Sequence, residues 1–356
     1  MQNDKDGRMM TKRKTRSSSK LMDQSRGKKG RTEDGVIQID GDLQADWNDL
    51  VWKGRARFSY LQFDKKGETK FTLPTVLKYT REEVNLAHYI FAKDLPQKEV
   101  LVETMMQSYT RKVLWSLCPK SNVDDDVITA MACQLSLEEV WRNVGDGRVV
   151  CYLPAELQEM VINYGMTSKK ALECYGAKFL ARAHTCRKVC LPMKDAMDGD
   201  AVHWYLAFIM LDDKQVHLLD SYPSKKRQRS RRNAVVTMIE FLDDLFEDLY
   251  RQVEPTLDPP VLEQFSLTIP SIPEQRHESD SGVWVCSWMM GASWDASYNL
   301  LPCGDIRRMQ LALYLVQHPT NYIRHVVIEE ENSNASRFVA QSRRYKEESQ
   351  TSVIQN

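Results

Sequence analysis

Four polar side chains have the types and the order that nucleophilic hydrolysis needs. His203 lies at the start of one apolar segment, and Asp220 lies at the end of the next one. A carboxylate beside an imidazole fixes the imidazole tautomer and stabilises its charged form. Ser281 and Gly282 open a third apolar segment, directly after a polar loop that contains Gln275. This order predicts a base, an orienting acid, a polarising amide and a nucleophile in one site.

A predicted hairpin brings His203 and Asp220 together. The dipeptide Asp212-Asp213 lies between two apolar runs and has turn composition, which predicts an antiparallel pair centred there. Residues near 203–205 then face residues near 220–222, and such neighbours lie roughly 5–8 Å apart at Cβ. Because a histidine beside an aspartate is usually a structural pair, the third apolar segment decides the interpretation.

The segment after Ser281 is predicted to be a helix, Gly282–Ala296, and its start favours a nucleophile. Unpaired N–H groups and the helix dipole lower the pKa of a thiol there and can donate to an oxyanion. Gly282 leaves room for a substrate backbone to approach. Gln275, on the loop that leads in, can supply a side-chain N–H to the oxyanion.

The elements around these residues indicate an α+β domain. Helical patterns come first, from a capping box at Thr80-Arg81-Glu82-Glu83 through a helix entered at 123–126. Ser168 is predicted to cap a helix over 169–183. Strand patterns and further helices follow, and a mostly antiparallel sheet is expected. The predicted strands are 189–193, 204–210, 215–219 and 265–269, and the later helices are 232–251, 282–296 and 305–318.

Composition divides the chain into four segments. Residues 1–35 hold 11 Lys and Arg against 5 Asp and Glu and have almost no aliphatic content, so we predict a basic, disordered leader. Residues 36–94 are mixed and give no clear assignment, apart from short strands near 57–63. Residues 95–328 read as one continuous domain. Residues 329–356 are predicted to be a polar tail.

Several function classes are disfavoured by the same residues. No run of about 18 uncharged apolar residues exists, which argues against a membrane span. Eight scattered cysteines fit reduced thiols in the nucleus or cytosol. His184, Cys186 and Cys190 lack the second half of a zinc pattern, so we predict no metal and no cofactor. Cys286, more than one turn inside an apolar helix, is predicted to be a buried structural thiol.

The segment from Gln275 to Trp284 resembles the nucleophile segment of the ubiquitin-like-protein (SUMO) proteases. Those cysteine proteases have Gln, a short polar loop, Asp-Cys-Gly and a hydrophobic run, whereas this chain has Gln275, Asp280, Ser281 and Gly282. The resemblance implies a papain-like α+β fold over roughly 95–326, with N-terminal helices followed by a mixed sheet flanked by helices. It looks closest to the divergent plant and transposon-associated type.

The same resemblance implies roles for the site residues. His203 matches the general base, Asp220 the orienting acid, Gln275 the oxyanion amide and Ser281 the nucleophile, with serine in place of cysteine. Trp204 matches the tryptophan that lines the tunnel over the Gly-Gly end of the substrate. The implied activity is therefore cleavage after a C-terminal Gly-Gly of a ubiquitin-like modifier.

The serine leaves three hypotheses open. The first is a silenced protease that keeps its pocket and binds a ubiquitin-like modifier or its conjugates. The second is an active hydrolase with a Ser281-His203-Asp220 triad. The third is a transposon-derived nuclear protein that binds nucleic acid through residues 1–35 and the basic run 225–232, where a solvated loop is the simpler interpretation. We expect a nuclear location.

Overall fold

The computed structural model describes about two thirds of the chain. The described residues are 58–62, 70–74, 79–141, 150–196, 202–292, 298 and 304–334. The predicted leader 1–35 lies outside them, as does the chain after residue 334. No helix among these residues is long and apolar enough to cross a membrane.

A five-stranded mixed sheet forms the centre of the domain. Its strand order is β5-β6-β7-β8-β9, with antiparallel pairing in the middle and parallel pairing at both edges. The four strands predicted from apolar runs are confirmed, whereas the expectation of a mostly antiparallel sheet holds only for the central pairs. The strands are β5 Val150–Tyr152, β6 Lys188–Ala196, β7 Val202–Met210, β8 Gln215–Leu219 and β9 Ser266–Thr268.

The β7–β8 hairpin has the predicted register. Leu206 pairs with Leu219 and Met210 pairs with Gln215, which centres the turn between residues 212 and 213. The turn closes with Lys214 in the left-handed region at φ 50°. His203 and Asp220 are therefore placed at the same end of the sheet.

Helices pack on the sheet, and three of those described precede its first strand, while the others lie between its strands or after them. Thr80 and Glu83 form the predicted capping box at the start of the first helix. The helices are α1 Arg81–Ile90, α2 Arg111–Leu114, α3 Asp125–Trp141, α4 Leu157–Ile162, α5 Ser168–Phe179, α6 Gln228–Val253, α7 Ser281–Gly291, α8 Gly304–Gln317 and α9 over 324–334.

Two helix starts differ from the predictions. Thr167, not Ser168, caps α5 by accepting a hydrogen bond from the Lys170 amide, because the Ser168 hydroxyl instead donates to Asp248 at 2.6 Å. Helix α6 begins at Gln228, earlier than expected, and so includes the last five residues of the basic run 225–232. That run is therefore the beginning of a helix as well as a loop.

Parts of the unassigned segment 36–94 belong to the same core. The described strands there are β1 Phe58–Gln62 and β2 Lys70–Pro74, and a further hairpin follows with β3 Val100–Glu103 and β4 Ser108–Thr110. Phe71 of β2 is fully buried, and its ring lies 5.0 Å from that of Phe91. The Thr72 amide donates to Asp305 of α8. At the other end, α9 runs across residue 328, where we expected the domain to stop.

Candidate active site

His203 and Asp220 form the buried hydrogen-bonded pair that the hairpin predicted. Nε2 of His203 lies 2.8 Å from Oδ1 of Asp220, and the histidine is only 2% exposed. The amide of Tyr222 donates to the same carboxylate oxygen at 3.0 Å. Burial alone would raise the pKa of Asp220, but the bond and charge of His203, with the Arg231 guanidinium, hold that pKa below its ordinary value.

Arg231 completes this pair, and sequence reasoning missed it. Its Nη1 donates to Oδ2 of Asp220 at 2.5 Å, and the residue is 1% exposed. We had read residues 225–232 as a solvated loop or an anion-binding surface. The interpretation is wrong for Arg231, because the first turn of α6 faces the end of β8. One signal in the sequence could have indicated this contact. Arg231 lies eleven residues after Asp220, on the helix that follows β8 and leads back to the parallel strand β9.

Ser281 begins α7, as predicted, beside the strand that carries the histidine. Its Oγ accepts a hydrogen bond from the amide of Trp204 at 3.1 Å, and the residue is 1% exposed. Among the described residues, no hydrogen bond joins Ser281 to His203. The two side chains therefore share one site, but the Ser281 hydroxyl is hydrogen-bonded to the backbone of β7 and not to His203.

Gln275 lies in the site with both ends of its amide engaged. Its Oε1 accepts from the Ser221 hydroxyl at 2.6 Å, and its Nε2 donates to the Glu278 carbonyl at 2.9 Å. Its own backbone amide donates to the Ser221 carbonyl. Ser221, the residue after Asp220, therefore fixes the orientation of Gln275, a role that the sequence did not reveal.

A buried ion pair holds the loop before Ser281. Asp280 accepts two hydrogen bonds from Arg308 of α8, at 3.1 and 3.0 Å. The same guanidinium donates to the carbonyls of Ser116, Cys118 and Ser279. We had read Asp280 only as part of a motif, and the distant Arg308 carried no local signal.

Gly282 and Trp204 are both covered by Val123. A Cβ added at Gly282 would lie 2.5 Å from Cβ of Val123, so the space that we expected for a substrate backbone is filled by this chain. The indole Nε1 of Trp204 donates to the Val123 carbonyl at 3.3 Å, and the ammonium of Lys194 lies 5.9 Å from the ring centre. The roles of Gly282 and Trp204 in substrate binding stay predictions.

Three buried cysteines in the described part of the chain are poor nucleophiles. Cys286 is fully buried, and burial raises its pKa to about 12. Burial also raises the pKa values of Cys186 and Cys190 well above the ordinary value. No group of three metal-binding side chains occurs among the described residues.

The geometry fits His203 acting as a general base. When the Asp220 carboxylate accepts the hydrogen bond from Nε2, Nδ1 is the ring nitrogen left to accept a proton. In the described part of the chain, the Ser281 hydroxyl, bonded to the Trp204 amide, is the nucleophile that this arrangement places beside the histidine.

Comparison with known proteins agrees with this reading of the fold. Residues 186–314 match the family described as the Ulp1 protease family, C-terminal catalytic domain, and they include His203, Asp220, Gln275 and Ser281. A comparison with curated protein sequences found no match.

Two solved structures share the fold at low sequence identity. One is the SUMO protease Ulp1 with its catalytic cysteine oxidised to a sulfinic acid, 16% identical with a TM-score of 0.50, covering 68% of this chain and 96% of that one. The other is the C-terminal Ulp1 protease domain in complex with Smt3, the yeast ortholog of SUMO, 15% identical with a TM-score of 0.50, covering 69% and 99%. The resemblance inferred from the sequence is therefore confirmed, and the described domain has the fold of the Ulp1-type structures.

Proposed function

We propose that this chain binds the C-terminal tail of a ubiquitin-like modifier of the SUMO type and cleaves it weakly or not at all. The observation that carries the proposal is the bonding of Ser281. Its hydroxyl is held by the Trp204 amide and has no described bond to His203, although His203 and Asp220 are fully assembled. A solved relative that contains Smt3 supports the choice of modifier class.

The chemistry of oxygen supports weak turnover. A thiol of pKa about 8.5 is easily ionised beside a histidine and a helix N-terminus, whereas a hydroxyl needs its proton removed during attack. Because the Ser281 hydroxyl has no described hydrogen bond to His203, the described geometry offers no direct path for its proton to the imidazole. Both residues are also nearly fully buried, so a modifier tail has to displace covering residues before it reaches them.

The test compares the native chain with Ser281→Cys on a panel of modifier precursors that end in Gly-Gly plus an extension. We expect cleavage by Ser281→Cys at least about 100-fold faster than by the native chain, since the base and its acid are in place. Ser287→Cys, one helix turn and a half further along α7, is the matched control for an added thiol. Binding of the mature modifier is measured by calorimetry for all three chains.

The outcomes separate the hypotheses. Binding by the native chain with cleavage only by Ser281→Cys supports a silenced protease. Binding by neither chain to any modifier overturns the proposal. Cleavage by the native chain that is lost in Ser281→Ala establishes instead the hydrolase with a Ser281-His203-Asp220 triad.

A nucleic-acid role and a nuclear location remain separate proposals. Lys225, Lys226, Arg229 and Arg232 are exposed where α6 begins, which favours an acidic partner or a phosphate backbone. This proposal predicts DNA binding that weakens steeply with salt and is lost when residues 1–35 are deleted. Binding that ignored salt would count against it.

A further inference from the structure

His203 lies between two carboxylates, only one of which belongs to the predicted triad. Asp195 of β6 is its direct cross-strand partner, and Asp220 follows β8 on the other side. Arg231 connects the two carboxylates, with Nε 3.1 Å from Oδ2 of Asp195 and Nη1 2.5 Å from Oδ2 of Asp220. A charged network thus spans three strands and the start of α6.

The contacts of Arg231 hold its guanidinium in one position. It also donates to the Tyr222 carbonyl at 3.1 Å, and its guanidinium lies 5.7 Å from the centre of the Tyr205 ring. The planar guanidinium fork suits two carboxylates at once, because its N–H groups point in set directions. A side chain with these partners and 1% exposure has little freedom to leave.

The network pairs its carboxylates with arginines. Arg227 donates to the other oxygen of Asp195 at 3.1 Å, so two guanidinium groups face two carboxylates. Arg231 neutralises the carboxylate beside His203 and so weakens the stabilisation of a protonated imidazole there. We propose that Arg231 is a positioning residue that orients Asp220 and favours the neutral form of His203, and that Asp195 opposes this effect.

This inference deepens the proposed function, since it concerns the same histidine. A neutral imidazole is the form that can accept a proton from a nucleophile, whether a hydroxyl or a thiol. Other groups near His203 are unchanged in the variants below: the Tyr222 ring at 6.2 Å, whose hydroxyl donates to Glu278, and Lys194 over the neighbouring Trp204.

The test is a pH titration of the His203 ring signals by NMR, which needs neither substrate nor activity. The signals are assigned by their loss in His203→Gln. We expect Arg231→Met to raise the midpoint pH of these signals by about one unit and Asp195→Asn to lower it, because the two changes remove charges of opposite sign near one ring. Arg232→Met, an exposed neighbour on the same helix, is the matched control and is expected to leave the midpoint unchanged.

Opposite shifts of the midpoint pH distinguish this role from a purely structural one. A structural role would shift the midpoints of Arg231→Met and Asp195→Asn in the same direction or leave both unchanged. Shifts of the same sign, or no shift in Arg231→Met, overturn the inference whether or not any modifier binds. If Arg231→Met fails to fold, Arg231→Lys and Asp195→Asn decide the question. Arg231→Lys keeps the charge, so its midpoint is expected near the native value, while that of Asp195→Asn falls.

Discussion

The two halves of the site are built differently. On the base side, His203 and Asp220 take their positions from strand register, and Arg231 bonds the carboxylate directly. On the nucleophile side, Ser281 and Gln275 are bonded to nearby backbone and to Ser221. The first half is arranged to hold a proton acceptor in one orientation, whereas the second is arranged to hold its own loop. An intact hydrogen-bonded pair of His203 and Asp220 therefore does not by itself indicate turnover.

The largest effect on stability is expected when the cation that binds the loop before Ser281 is removed. Arg308→Met leaves the buried Asp280 carboxylate without its cation, so we expect the free energy of unfolding to fall by about 3–5 kcal/mol. Urea unfolding measures it. If the halves are independent, the His203 ring titration stays unchanged in Arg308→Met. The double variant Arg308→Met/Asp280→Asn should recover part of the loss, and its failure to do so would show that the carbonyl contacts dominate.

A smaller, pH-dependent effect on stability is expected when the Asp220 carboxylate is removed. Because the pKa of Asp220 is lowered in the fold, its ionised form adds stability that is present above the unfolded pKa of about 4 and is lost as pH falls through the folded value. We expect Asp220→Asn to cost about 3 kcal/mol at pH 7, since charged hydrogen bonds are removed. The difference from the native chain should narrow below about pH 4. A difference that is constant from pH 7 to pH 3 would contradict this origin.

A third variant tests the packing over the nucleophile helix. Gly282→Ala forces a Cβ against Val123, and overpacking of this kind costs about 2 kcal/mol. The control is Gly176→Ala in α5, where a Cβ meets nothing within 4 Å and helix propensity favours alanine. Thermal unfolding compares the two. In a Val123→Gly background the cost of Gly282→Ala should shrink, and an unchanged cost would point to another source of strain.

The smallest expected effect sharpens the role assigned to Ser221. Ser221→Ala removes the donor to Oε1 of Gln275, which costs about 1 kcal/mol of stability. In the Ser281→Cys chain it should also lower kcat more than it raises KM, because the amide then loses its fixed orientation. Ser224→Ala, three residues later, serves as the control. Equal effects of Ser221→Ala and Ser224→Ala on kcat would show that Ser221 has no specific role in orienting Gln275.

Local patterns predicted the base side better than the nucleophile side. The hairpin centre follows from one acidic dipeptide between apolar runs, and register then places His203 and Asp220. The start of α7 at Ser281 followed from the polar-to-apolar change. The partners that fix these groups could not be predicted in this way, because Arg231 and Arg308 reach the site through helix packing. Periodicity describes which face of an element is buried, and not which distant charge it meets.

The clamp made by Arg308 has a consequence for synthesis on the ribosome. Its guanidinium joins the carbonyls of Ser116 and Ser279, which lie 192 and 29 residues before it in the chain. Domains emerge from the ribosome N-terminal end first. The loop before Ser281 therefore leaves the ribosome while its clamp is still being made. A nascent chain stalled before α8 would lack the bonds that hold the loop before Ser281, and that loop can take its final position only once α8 has emerged.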